Sequence, residues 1–281
     1  MKLIECPRDA WQGYHPFIPT ETKLAYLNQL IRTGFDTIDF GSFVSPKSIP
    51  QMRDTAWLAD HLDLSGSNTS ILAIVANERG AADACQFDQI RHLGYPFSIS
   101  ETFQIRNTNA TIGESFERVK RIAGLCDQYG KEMVIYISMG FGNPYGDPWG
   151  PDIVMEWVER LSALGVGTFS LADTVGVARI EDVRSLFNTL IPHYPEAEIG
   201  AHFHTEPENW RVKIEAAYDA GCRRFDGAIL GYGGCPMAQD DLVGNMPTER
   251  LIEFAREQEE LTCIDPEEFR KATSMFRQII G

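Results

Sequence analysis

Two histidines one residue apart, His202 and His204, close an apolar run that begins at residue 197 and is broken only by Glu198. On a strand, side chains alternate between two faces, so both imidazoles would point the same way. Two such nitrogens make half of a metal site. A His-x-His pair alone is a weak signal, because histidines also sit at strand ends without chemical duty. It gains weight from other polar residues that follow strand-like runs: Arg8 and Asp9, Asp39, Glu101, Asp173, Cys235 and Asn245. Asp9 would add a hard oxygen and Asn245 a neutral amide oxygen. One carboxylate, two imidazoles and an amide suit an octahedral ion such as Mg²⁺ or Mn²⁺ with open positions, whereas a structural zinc site would be closed and rich in thiolates. Arg8 would set a fixed positive charge beside the ion, suited to an oxyanion or enolate as it forms. Cys235 lies in Gly231-Tyr232-Gly233-Gly234-Cys235-Pro236, where glycines allow a mobile lid that carries a proton-donating or proton-accepting thiol. Asp39, Glu101 and Asp173 could each act as a base or orient a ligand. Taken singly, each reads first as a cap or a barrel-mouth ion pair. Gln12 could hydrogen-bond a substrate or a water on the metal, while the rings of Phe141, Tyr145 and Trp149 could cover a ligand or simply pack.

These residues converge only if the elements bearing them do. Strand-like runs fall at residues 2–6, 37–40, 70–76, 96–99, 133–139, 168–171, 199–203 and 224–228. Helical periodicity or caps mark 21–33, 51–61, 78–93, 111–129, 152–164, 180–191, 210–220 and 248–258, with a last helical segment at 266–279. Thr111 with Glu114 three residues on is a capping box. Strand and helix thus alternate eight times at about 30–35 residues per unit, the rhythm of a (β/α)8 TIM barrel. In that fold the polar strand tips meet on one rim. A doubly wound open sheet would carry a Gly-rich fingerprint after its first strand, and Pro7-Arg8-Asp9-Ala10 is not one.

The 281 residues suit one barrel domain, with the C-terminal helical segment, about residues 259–281, laid against it. A chain that is 43% hydrophobic and 23% charged can bury a large core. The formal net charge of −15 argues against nucleic acid as a partner. No stretch is long and apolar enough to span a membrane. The strand-like run starting at Lys2 leaves no room for a leader. Six scattered cysteines without a C-x-x-C pair fit a reducing, cytoplasmic setting.

The chain resembles the hydroxymethylglutaryl-CoA lyases, among barrel metallolyases that open with an Arg-Asp or Arg-Glu motif. The resemblance is carried by Pro7-Arg8-Asp9 with Gln12, by Ser42-Phe43-Val44-Ser45-Pro46-Lys47 and by Pro50-Gln51-Met52. It continues through Ser100-Glu101, Glu114-Ser115-Phe116, Pro144-Tyr145-Gly146 and the run from Ser170 to Val177. His202-Phe203-His204 and Gly233-Gly234-Cys235-Pro236 with Gly244-Asn245 complete it. It implies Mg²⁺ or Mn²⁺ held by Asp9, His202, His204 and Asn245. It also implies retro-aldol cleavage of 3-hydroxy-3-methylglutaryl-CoA to acetoacetate and acetyl-CoA, with Arg8 neutralising the enolate and Cys235 protonating it. Asp9 or His202, assisted by Asp39, would accept the hydroxyl proton. Gln12, Ser42, Ser100, Glu101 and Gly234 would meet an acyl-CoA substrate, and Asp173 would belong to the catalytic rim. Barrels of this type often pair through their outer helices, so a homodimer is expected.

The chain departs from the family pattern in places. Asp39 stands where the family has glutamate, and Thr205-Glu206-Pro207-Glu208 replaces Asp-Thr-Tyr-Gly after the second histidine. Ala10-Trp11 replaces Gly-Leu, which would bring a bulky ring into the mouth. The loop from Cys235 to Asn245 is one residue longer and more acidic, and residues 13–20 lack a basic side chain beyond His15. Two further readings use the same residues: an aldolase or Claisen-type condensing enzyme acting on a related hydroxy acid, and a non-catalytic ligand-binding relative.

Overall fold

The computed structural model describes residues 1–234, 243–260 and 263–281. Eight parallel strands close into a barrel in sequence order: β1 (Lys2–Glu5), β2 (Thr37–Ser42), β3 (Ser70–Ile74), β4 (Ile90–Ser98), β5 (Glu132–Ser138), β6 (Thr168–Asp173), β7 (Glu198–Phe203) and β8 (Arg224–Gly227). The ring is shut by β1 on β8, where Leu3 faces Phe225 and Ile4 faces Asp226. The expected (β/α)8 barrel is therefore the fold.

The helices are α1 (Pro7–Trp11), α2 (Thr20–Thr33), α3 (Thr55–His61), α4 (Glu78–Ala84), α5 (Glu101–Thr108), α6 (Ile112–Tyr129), α7 (Pro151–Ser162), α8 (Ile180–His193), α9 (Trp210–Asp219), α10 (Thr248–Glu257) and α11 (Pro266–Ile280). The capping box at Thr111 and Glu114 is present on α6. C-terminal α11 lies against α2, where Phe276 stacks on Tyr26. Among the described residues no helix is long and apolar enough to cross a membrane.

Period-two alternation sorts each strand into a helix-facing and a lumen-facing set. Phe169 and Leu171 of β6, Ile199 and Ala201 of β7 and Phe225 of β8 belong to the large shell core between barrel and helices. Leu72, Ile74, Val134 and Tyr136, from β3 and β5, form a separate cluster in the lumen. The opposite side of the lumen is charged, with Arg224 and Asp226 alternating on β8.

Three local expectations need correction. Residues 78–93 do not form one helix. α4 ends at Ala84, and 90–98 is strand, paired with β3 and, from His92 on Glu132, with β5. A short apolar run is ambiguous between buried strand and helix, and barrel closure decided it. Two short helices went unread: α1, directly after the first strand, and α5, which precedes the capped α6. The Trp11 ring does not enter the mouth. It is fully buried edge-on to Tyr26 at 5.7 Å, because the α1 turn aims it outward under α2.

Candidate active site

At the C-terminal end of the barrel a cavity of about 390 Å³ opens among the strand tips. Its wall includes Arg8, Asp9 and Gln12 from the first βα turn, Ser42 from β2, His202 from β7 and His204 just beyond it. Tyr136, Ser138, Ala172 and Thr174 contribute from β5 and β6. One ligand atom each from Asp9, His202 and His204 lies within 4.8 Å of the other two, and all three residues are buried. In an octahedral shell with bonds of about 2.1 Å, neighbouring donors sit about 3 Å apart and opposite donors about 4.2 Å. The three atoms are near enough to one another to be drawn round one ion. Cys6, His202 and Asp226 form a second group of similar span. It lies below the first, Cys6 and Asp226 do not line the cavity, and Asp226 is already committed to hydrogen bonds.

Each donor is held. Asp9 Oδ1 accepts from Arg8 Nη1 at 2.9 Å and Gln12 Nε2 at 2.7 Å, while Oδ2 accepts from Asn245 Nδ2 at 2.8 Å. A carboxylate has about four lone-pair sites, so Oδ2 keeps one for a cation. Burial opposes the charge on Asp9, but Arg8, then His202 and His204, outweigh it and hold the carboxyl below its ordinary range. His202 Nδ1 meets Asp226 Oδ2 at 3.1 Å, which fixes the imidazole with Nε2 free. Burial disfavours the imidazolium of His202, but the bond to Asp226 reverses this and the group is raised. Among the described residues His204 has no such carboxylate bonded to it: burial, then the charge of His202, push it down to about 4, so it is neutral and can ligate at pH 7. Asn245 directs its amide nitrogen to Asp9 and to the Tyr232 carbonyl at 2.9 Å. In this orientation it anchors Asp9, and joining a cation's shell as an oxygen donor requires the amide to turn.

Arg8 is nearly buried and fully engaged. Nε donates to Asp39 Oδ1 and Oδ2 at 3.2 and 3.0 Å, Nη2 donates to Asp39 Oδ2 at 2.5 Å, and Nη1 reaches Gln12 Oε1 at 3.1 Å as well as Asp9. Burial works against its charge, yet Asp39 and Asp9 more than compensate, so the guanidinium stays protonated. Burial pushes Asp39 up to about 6, with Arg8 pulling it back, which leaves a carboxylate at neutral pH. The local fold makes this possible. Pro7 starts α1 at once after β1, so Arg8 and Asp9 turn back over the barrel mouth. The loop after β8 presses against that turn: a Cβ at Gly233 would lie 2.7 Å from the Ala10 Cα and the Asp9 carbonyl oxygen.

Other candidate residues are not brought to the cavity wall. Asp173 shares the outward face of β6 with Phe169 and Leu171, and its Oδ2 accepts from Lys213 Nζ of α9 at 2.6 Å. Ser100 caps α5, accepting from the Phe103 amide and donating to Asp147. Glu101 is exposed and accepts from the Ile112 amide at the start of α6. Gly234 is buried beside the mouth, and Cys235 lies outside the described residues. Trp149 donates to the Gly140 carbonyl at 3.0 Å, and Phe141 is buried against Phe203 at 5.7 Å. Neither lines the cavity.

Sequence reading missed Asp226, although an Arg-x-Asp alternation inside a strand is a signal for charge facing a lumen. It also missed Arg106 at the end of α5. Arg106 lines the cavity, leans over the Tyr145 ring at 4.7 Å and carries no ion pair among the described residues. Asn107 and Asn109 stand beside it on the wall.

An eight-stranded barrel with a buried Asp-His-His trio that could hold a metal ion, and an arginine at its mouth, is in class a barrel enzyme. The HMGL-like family model matches residues 4–276, and the chain belongs to this family of lyases. It is 30% identical over 275 residues to a hydroxymethylglutaryl-CoA lyase of Bacillus subtilis, covering 98% of this chain and 91% of the relative. An (R)-citramalyl-CoA lyase of Chloroflexus aurantiacus is 29% identical over 255 residues, covering 88% and 80%. The solved HMG-CoA lyase of Acinetobacter baumannii in complex with coenzyme A and 3-methylmalate superposes with a TM-score of 0.92 at 30% identity, covering 100% of this chain and 91% of that one.

Proposed function

We propose that the chain cleaves a 3-hydroxyacyl-CoA by a retro-aldol reaction that depends on Mg²⁺ or Mn²⁺, with 3-hydroxy-3-methylglutaryl-CoA as the first substrate and acetoacetate and acetyl-CoA as products. The observation that carries this reading is the buried Asp9, His202 and His204 trio on a cavity wall beside a fully protonated Arg8. When bound, the divalent cation supplies Lewis-acid stabilisation of oxygen charge. Arg8, clamped by Asp39, presents positive charge to the enolate that forms as the carbon–carbon bond breaks. Its geometry is set before reaction, so little reorganisation is needed. Asp226 orients His202, and Gln12 with Asn245 orients Asp9. In this reading Ser42 and Gln12 contact the acyl group and Cys235 returns a proton to the product carbanion. Arg106 offers a rim cation to an anionic substrate, a place that residues 13–20 leave unfilled.

A second reading keeps the site and changes the acyl group. The citramalyl-CoA lyase among the relatives, at nearly the same identity, favours it. The test incubates purified protein with each thioester and Mn²⁺ or Mg²⁺ and follows release of acetyl-CoA. Cleavage of the methylglutaryl ester at a kcat/KM at least tenfold above that for the citramalyl ester supports the first reading. The reverse order supports the second, and no acetyl-CoA from either removes both.

A further inference from the structure

The floor beneath the histidines is charged where a barrel of this kind is ordinarily filled by branched apolar side chains. On β8, Arg224 and Asp226 face the lumen and are both nearly inaccessible. Asp226 Oδ2 takes two hydrogen bonds, from Ser170 Oγ at 2.8 Å and from His202 Nδ1 at 3.1 Å. Among the described residues its Oδ1 has no hydrogen-bond partner, and neither do Nε and Nη2 of Arg224. Arg224 Nη2 stands 3.9 Å from that Oδ1, too far for a direct hydrogen bond but close enough for strong charge compensation away from water. On its other side Arg224 Nη1 is 3.6 Å from Glu198 Oε2, and Glu198 pairs with Lys2 at 2.6 Å. A line of alternating charge therefore runs from His202 through Asp226, Arg224 and Glu198 to the N-terminal end of the barrel. The room for it is built in. A Cβ at Gly200 would sit 2.7 Å from Arg224 Cδ and 2.8 Å from Cγ, so any larger residue there displaces the arginine stem.

We infer that Arg224 is a positioning residue for the cation site, acting on His202 through Asp226. A ligating imidazole is aimed by the acceptor on its other nitrogen, and that acceptor must itself be fixed. Both tethers on Asp226 converge on one oxygen, so rotation of the carboxylate is opposed only at Oδ1, and Arg224 is the cation facing Oδ1. Without the guanidinium, a buried negative charge loses its compensation and the plane of the acceptor is freed. This rests on reading Asp9, His202 and His204 as cation ligands.

The experiment is calorimetric titration of Mn²⁺ into the metal-free full chain, with circular dichroism to show that each variant is folded. Arg224→Met should raise Kd about tenfold or more, within the 10–100-fold range of outer partners of metal ligands. Arg224→Lys, which keeps the charge, should recover most of the loss. Asp226→Asn should raise Kd at least as far, and adding Arg224→Met to it should change little, because the arginine works through the carboxylate. A folded Arg224→Met with wild-type Kd overturns the inference, as does a double variant in which the two effects multiply. Should Arg224→Met fail to fold, Gly200→Ala decides, since it shifts the stem with every charge in place. An unchanged Kd there refutes the role of Arg224, and a raised one supports it. Wild-type protein that binds no Mn²⁺ defeats the ligand reading itself and the inference with it, a result distinct from equal binding by wild type and variant.

Discussion

Arg8–Asp39 and Lys213–Asp173 are nearly the same object in two places. Each is a buried strand aspartate with a cation at hydrogen-bond distance, 2.5 Å in the first pair and 2.6 Å in the second. In both, burial pushes the carboxyl up while the cation pulls it back. Yet Arg8 also touches Asp9 and lines the cavity, whereas Lys213 turns to the carbonyls of Gly176 and His204 behind it. The difference is strand parity. Asp39 is on the lumen side of β2, and Asp173 is on the helix side of β6. Ion-pair chemistry is thus common to both, and only the face on which a pair sits separates a group that can meet a substrate from one that braces the loop carrying His204. Glu5 is a useful third case: a fully buried carboxyl with no ion-paired cation among the described residues. It accepts from the Ile229 amide and from Thr248 Oγ1, and burial raises it to about 8.

The harshest way to probe the comparison is to empty the site that only the first pair adjoins. Removing the divalent cation with EDTA should abolish thioester cleavage, and Mn²⁺ or Mg²⁺ should restore it; a rate that survives chelation would separate Arg8–Asp39 from any metal chemistry. Next, Arg8→Met should lower kcat by about 10²–10³, the scale for losing one preorganised charge stabiliser, while Mn²⁺ titration still shows binding. Lys213→Met should do the opposite. Breaking a buried ion pair costs roughly 3–5 kcal/mol, so a large fall in Tm is expected, with kcat per folded molecule within about tenfold of wild type. If Lys213→Met lost turnover as far as Arg8→Met, the functional distinction between the pairs would collapse.

The gentlest probe is Glu5→Gln. The unfolded carboxyl titrates near 4.5 and the folded one near 8. Between those values the native state binds a proton that the unfolded state does not, so stability should fall as pH rises from about 4.5 to about 8. The glutamine variant should flatten that slope and be more stable at pH 8 by a few kcal/mol, on the order of 1.4 kcal/mol for each unit of the span. Denaturation curves at pH 5, 6.5 and 8 check this, and a wild-type slope in the variant would assign the pH dependence elsewhere.

Much of the site was legible because period two is a property of the backbone. His202 and His204 share a face for that reason, and the barrel rhythm placed their tips beside Arg8 and Asp9. The same rule, applied to Asp173, reads it with Phe169 and Leu171 and sends it outward, so that misplacement was avoidable. Asp226 was equally legible, as an acid alternating with Arg224. Trp11 was not: whether a ring after Arg-Asp fills the mouth or the shell depends on how α1 turns under α2. Residues 90–93 were not either: a short run there satisfies the end of a helix or the start of a buried strand, and only the later part of that strand, from 96, was legible.

By itself the sequence determined the number and order of the strands, the barrel they close and the side chains, Asp9, His202 and His204, that meet at its mouth. Those follow from periodicity and residue chemistry, which act over a few neighbouring positions. The tertiary structure alone decided which carboxylate serves which cation, why His202 and His204 differ in proton affinity, and that Arg224 lies beneath them. Such properties are set by burial and by charges on strands far apart in the chain, and they come into being only when the ring closes.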